Sequence, residues 1–177
     1  MTDRNDQIPG CLGVLLILLG LWALAEIARG QSEDDGLILA RLTVHEAGFD
    51  SPADASLIHA VLTGIVERDH VSYRRAATLA APRWSAGRTS RPWTLELHED
   101  GRTPRGWRGA RWSAYRERWG ALLEHARRVV RGEIPSPCSS SPRVWGSRAD
   151  VARGRARGSV WRDAGCAGTR NLGGRWE

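Results

Sequence analysis

Near its start the chain carries apolar residues without a polar interruption, a 17-residue run from Pro9 to Ala25. Beyond it, apolar positions recur at helical spacing. After "QSEDDG", Ile38, Leu39 and Leu42 fall on one side with His45 and Glu46 at its edge, and Gly48 closes the run. Ser32 is placed to cap this helix, and Glu33, Asp34 and Asp35 suit its positive end. A second helix follows in "DSPADASLIHAVLTGIVERD". There Ser51 and Asp54 form an S-x-x-D capping box, Pro52 takes the first turn, and Ile58, Val61, Leu62, Ile65 and Val66 make the core face. A shorter helix, "SYRRAATLAA", runs to Pro82. Leu95 and Leu97 then alternate with polar neighbours ahead of Asp100-Gly101, the pattern of a small hairpin. The longest amphipathic helix is "SAYRERWGALLEHARRVVRG", with Tyr115, Trp119, Leu122, Leu123, Ala126, Val129 and Val130 inward. Residues 133–177 are rich in glycine, proline and serine and read as loops without an internal repeat. The pattern therefore predicts a mainly α domain of α+β type, with a small hairpin and a loop-rich C-terminal region.

The leader divides the chain. Residues 1–30 read as a signal peptide or membrane anchor, and 31–177 as one domain large enough for a core of its own. The apolar run sits at the short limit for a spanning helix, about 17 to 25 residues. It also ends in Ala23-Leu24-Ala25, a small-x-small cleavage pattern, although the preceding "MTDRNDQ" is not basic. Both readings place the domain outside the cytoplasm, in the periplasm or cell envelope.

Charge is split along the chain. Residues 1–70 carry 4 arginines and 11 acids (−7), and residues 71–177 carry 22 arginines and 9 acids (+13), giving the net +6. No lysine occurs, so all 26 basic residues are arginine. A basic half favours a polyanionic neighbour: wall polymer, anionic lipid or nucleic acid. The single run "RGRARG" does not single out RNA where every basic residue is arginine, and no nucleic-acid partner is expected.

Of the cysteines, Cys11 lies within the apolar run, leaving Cys138 and Cys166 as one disulfide in an exported domain. No C-x-x-C pair is present. The His45-Glu46 pair suggests a zinc-hydrolase helix, but Phe49 occupies the second histidine position of H-E-x-x-H. A P-loop is impossible without lysine, and no G-x-S-x-G elbow exists. No metal and no cofactor are expected.

Glu46 remains, a lone acid ending a mostly apolar helix. Partial withdrawal from water favours the protonated form of a carboxyl, and glycosidic cleavage needs such an acid beside the leaving oxygen. Spacing alone favours a solvated helix-terminal glutamate over a catalytic acid. Indole faces stack on pyranose rings, so some tryptophans are candidates for a glycan surface, the others being core.

Two blocks carry a resemblance. "ARLTVHEAGFDSPADASLIHAVLTGIVER", Ala40 to Arg68, resembles the opening of the cell-wall hydrolase family of spore-cortex-lytic enzymes. Glu46-Ala47 stands where that family ends a helix in Glu-Ala, and Ala60-Val61 through Arg68 where its second helix follows. "HARRVVRGEIPSPCSSSPRVWG", His125 to Gly146, is similar to the family's Ala-rich helix, glycine-ended turn and Pro-containing loop before an aromatic strand. Together the blocks span roughly a quarter of the chain. Gly48 replaces the family's usual arginine, Glu67 its asparagine, and Trp145-Gly146 its aromatic pair.

The resemblance implies a lysozyme-like domain that cleaves peptidoglycan, as a lytic transglycosylase or a muramidase, at the MurNAc–GlcNAc bond. Glu46 would be the catalytic acid; the departures leave the family's substrate contacts unassigned, and Trp84, Trp93 and Trp145 are the glycan-contact candidates on the stacking argument alone. Asp50 is the one nearby second acid, and its place before Ser51 equally suits a turn. The partners would be glycan strands, with the membrane engaged through the N-terminal segment. The competing class is a membrane-anchored basic protein that binds wall polymer, anionic lipid or nucleic acid without catalysis.

Overall fold

A computed structural model describes residues 35–86 and 92–177, together with positions 14, 17 and 19–21. The chain divides into two units, Met1–Asp34 and Asp35–Glu177. In the first, Val14, Ile17, Leu19 and Leu21 are helical and exposed. The rest of the expected leader, Cys11, and the cap at Ser32 fall outside the described residues. No helix among the described residues is long and apolar enough to cross a membrane.

The second unit is mainly helical, with a three-stranded antiparallel sheet at its C-terminal end. Helix α1 covers residues 35–46. It is buried around almost its whole circumference, with Leu39, Ala40, Leu42, Thr43 and Val44 out of solvent. The expected one-sided stripe is therefore corrected: α1 is a central helix, and neighbours cover its other faces too. The buried Thr43 hydroxyl is satisfied by donating to the Leu39 carbonyl at 2.8 Å. Gly48, at φ 87°, ends the helix with its N–H directed at the Thr43 and Val44 carbonyls.

Helix α2, Pro52–Asp69, packs Leu57, Ile58, Val61, Leu62 and Ile65 into the core. Its expected capping box does not form: the Ser51 side chain caps nothing. Asp54 is fully buried and accepts instead from the backbone N–H groups of Arg170 and Asn171 and from the Asn171 amide. Helix α3, Tyr73–Ala80, is capped by Ser72, which accepts from the Arg75 N–H. The short α4, Pro82–Ser85, follows it.

The hairpin expected around Leu95 and Leu97 is also corrected. A 3-10 turn spans Pro92–Glu96, and no strand follows it before β1 at Val144. The physical reason lies in the next helix, α5, Gly109–Val130. Trp119 donates its indole N–H to the His98 carbonyl at 2.8 Å, and Trp112 to the Gly101 carbonyl at 2.7 Å. Two carbonyls that a hairpin ladder would use are thus taken by tryptophans, and Arg41 takes a third, that of Leu97, at 2.8 Å.

The C-terminal region holds more regular structure than its composition suggests. Strands β1, Val144–Gly146, β2, Trp161–Asp163, and β3, Leu172–Trp176, form a sheet in the order β1-β3-β2. Helix α6, Arg148–Ala156, lies between β1 and β2 in sequence, and a reciprocal Ser147–Asp150 capping box starts it. Trp145 pairs with Gly173 in the register of β1 and β3. Gly173 has to be small, because a Cβ there would stand 2.5 Å from both Cys166 Sγ and Leu57 Cδ1. The sheet thereby approaches α2 closely, beside the Cys138–Cys166 disulfide.

Candidate functional site

A groove of about 930 Å³ opens where the end of α1 meets α2, the α3–α4 corner and the sheet. Glu46 reaches it from the last turn of α1, with its side chain 27% exposed and that of His45 16% exposed. Within the pair, His45 Nε2 stands 3.7 Å from Glu46 Oε1. Val61 and Ile65 of α2 supply an apolar floor. Its lining further includes Arg83 and Trp84 of α4, Arg143 just before β1, Trp145 of β1, and Arg175 and Trp176 of β3.

The other two acids in the groove are already engaged. Asp69 accepts two hydrogen bonds from Arg68, at 2.7 and 2.9 Å, which hold its carboxyl below the ordinary carboxylate range. Asp150 caps α6 and pairs with Arg153; hydrogen bonding to Ser147 is the main cause of its lowered pKa. Among the described residues, Glu46 is the one groove carboxylate that no arginine holds. A carboxyl so placed keeps its oxygens available to a ligand.

Glu46 is held there from a distance. Arg170 donates from Nη1 to the Ala47 carbonyl at 2.9 Å, filling one of the orphan acceptors at the end of α1. The Arg170 guanidinium also lies 3.8 Å from where a Cβ on Gly48 would stand, an ordinary van der Waals distance; it is the φ of 87° that disfavours a side chain there. The backbone N–H of the same arginine is clamped by Asp54. Asp54, Arg170 and Ala47 thus form one chain of contacts from α2 to the residue after Glu46.

Of the tryptophans singled out in the sequence, Trp84 and Trp145 line the groove with Glu46. Trp84 is only 6% exposed and donates its N–H to Thr94 Oγ1 at 3.2 Å, so it offers an edge rather than an open face. Trp93 is placed elsewhere. Its ring lies 6.1 Å from Phe49 and 4.8 Å from Trp107, in an aromatic cluster with Trp112 and Tyr115. Asp50 is exposed and pairs with Arg118, apart from the groove-lining residues.

Trp176 is a groove residue that the sequence reading passed over. It is 39% exposed, and the Trp161 ring packs edge-on against it at 4.8 Å and 68°. Arg83 and Arg143 were likewise not singled out. The signal was present as a repeated pairing, Arg83-Trp84, Arg143-Val144-Trp145 and Arg175-Trp176, within a background of 26 arginines.

Cys138 and Cys166 are bonded across 28 residues of sequence. Such a bond points to an oxidising compartment outside the cytoplasm. Among the described residues, no group of three or more His, Cys, Asp or Glu is placed to hold a metal ion. No protein-family model, no curated protein and no solved structure matches this chain.

Proposed function

We propose that the protein is a lysozyme-like, peptidoglycan-cleaving enzyme that acts on the MurNAc–GlcNAc bond with Glu46 as its single acid and base. One observation carries this reading: an arginine-free glutamate ends a buried helix inside a groove walled by Trp84, Trp145 and Trp176. The Glu46 carboxyl gives its proton to the glycosidic oxygen as the bond from that oxygen to the anomeric carbon breaks. The carboxylate left behind then takes a proton from the group that attacks the anomeric carbon. In a lytic transglycosylase that group is a hydroxyl of the same MurNAc, and an anhydro sugar results; in a muramidase it is water. The engagement of Asp69 and Asp150 by arginines favours the first, which needs no second free carboxylate.

The substrate would be reached outside the cytoplasm, in the periplasm or cell envelope, by a protein exported or anchored through its N-terminal segment. Incubation of purified peptidoglycan with the full chain and with Glu46→Gln, followed by product masses, tests the reading. Anhydro ends that vanish in the variant identify a transglycosylase, and hydrated reducing ends a muramidase. Absence of lysis by folded wild type would sink the enzyme and leave a basic protein that binds without cutting.

A further inference from the structure

The groove holds four arginines, and their partners divide them into two kinds. Arg68 is bound by Asp69 through two hydrogen bonds, and Arg175 donates to Glu177 at 3.0 Å. Arg83 and Arg143 are exposed, and no carboxylate among the described residues pairs with either. They line it from different elements, Arg83 beside Trp84 on α4 and Arg143 immediately before β1, which carries Trp145.

An unpaired guanidinium in a partly enclosed, apolar-floored groove is a ready carboxylate binder. Its N–H fork matches a carboxylate's two oxygens, and a charge-assisted contact of this type is about twice as strong as a neutral one. Among the described residues Glu46 is the groove's one carboxylate that no arginine holds, so the two guanidiniums without a carboxylate partner there outnumber it and the groove attracts anions.

We propose that Arg83 and Arg143 are specificity residues that bind carboxylates carried by the glycan, so that the groove selects an anionic polysaccharide over a neutral one of equal length. The inference rests on the glycan-cleaving reading of the same groove and adds to it the charge of the substrate. Two sources share this chemistry: the lactyl carboxylate of MurNAc in glycan without peptide, and the carboxylates of a stem peptide, where the lactyl group is tied up as an amide.

Binding to full-length Glu46→Gln protein, followed by calorimetry, tests this without turnover. The probes are chitotetraose, a GlcNAc–MurNAc tetrasaccharide with free lactyl groups, and the same tetrasaccharide bearing stem peptides. At least one of the two anionic ligands is expected to bind about tenfold or more tightly than chitotetraose. A gain by the peptide-free ligand assigns the lactyl group, and a gain confined to the peptide-bearing one assigns the stem. In Arg83→Gln/Arg143→Gln the gain should disappear while chitotetraose binding is unchanged. Both side chains are exposed and unpaired, so the exchange leaves the core untouched. Equal affinity for all three ligands, no binding of any, or an equal loss for neutral and anionic ligands in the double variant overturns the proposal. Lysis by wild type with no such preference leaves the enzyme standing and removes this inference alone; preference without lysis does the reverse.

Discussion

Asp54 and Asn171 are joined by two hydrogen bonds on one carboxylate oxygen: Oδ1 accepts from the Asn171 backbone N–H at 2.9 Å and from its side-chain amide at 3.0 Å. The residues lie 117 apart in sequence, and Asp54 is fully buried. Its other oxygen accepts from the Arg170 N–H at 2.8 Å, and the Arg170 guanidinium reaches on to Ala47. One side chain thus fastens the last segment of the chain to the helix end that carries Glu46.

Removing that carboxylate leaves three buried or half-buried donors without their acceptor. Each such group costs about 1 to 3 kcal/mol when stranded, partly offset by local relaxation. Asp54→Ala is therefore expected to lower stability by on the order of 3 kcal/mol in urea unfolding, with Asp54→Asn in between. A loss below about 1 kcal/mol would mean that solvent reaches these donors.

The disulfide is expected to act on the same segment from its other side. Closing a loop of 28 residues removes unfolded-state entropy equivalent to about 3 to 4 kcal/mol in the chain-entropy model. Cys138→Ala/Cys166→Ala should lose much of that stability. Oxidised and reduced wild type should differ similarly, and the reduced double variant should not respond to reductant. Reductant sensitivity persisting in the double variant would contradict the pairing.

Trp176 owes its position to Gly154 on α6. A Cβ at that glycine would come within 2.7 Å of Trp176 Cζ2 and Cζ3. Replacing a mid-helix glycine by alanine ordinarily stabilises by about 0.5 to 1 kcal/mol through helix propensity. Gly154→Ala is expected to lack that gain and shift the Trp176 fluorescence and, on the proposed glycan-cleaving function, to weaken glycan binding as Trp176→Ala would. A plainly stabilised Gly154→Ala with unaltered binding would show that Trp176 does not depend on this contact.

The S-x-x-D pattern shows why part of the fold was legible in sequence and part was not. Among the described residues it occurs at Ser51–Asp54 and again at Ser147–Asp150, and of these two only the second forms the reciprocal cap. Local sequence cannot separate them, because what diverts Asp54 is Asn171 from the far end of the chain. Helices α2, α3 and α5 follow their apolar spacing because each buries one face of a local pattern. The 95–101 region does not, because Trp112 and Trp119 claim its carbonyls from another element. The same division holds at the groove. Glu46 was visible as the acid ending an apolar run, whereas Trp176 is placed by contacts distant in sequence, its strand pairing with Trp161 of β2 and its packing on Gly154 of α6.

His59 gives the domain a pH dependence whose sign follows from its surroundings. The ring is half-buried on α2, with Nδ1 3.0 Å from the Tyr73 hydroxyl and Nε2 3.4 Å from Thr63 Oγ1. Burial penalises the charged imidazole and pulls its pKa below the ordinary 6.5. In the unfolded chain the ring takes up a proton near that ordinary value, whereas in the folded chain it stays neutral to lower pH. Stability from this group is therefore complete above the unfolded pKa and is lost as pH falls from there through the folded pKa. His125 is shifted the same way, mainly by burial, and adds to the slope. Urea unfolding between about pH 7 and about pH 5 should show wild type losing stability as protons are added. His59→Gln, which keeps a polar side chain but cannot titrate, should lose less over the same interval. Identical pH slopes for the two proteins would mean that His59 is as readily protonated folded as unfolded.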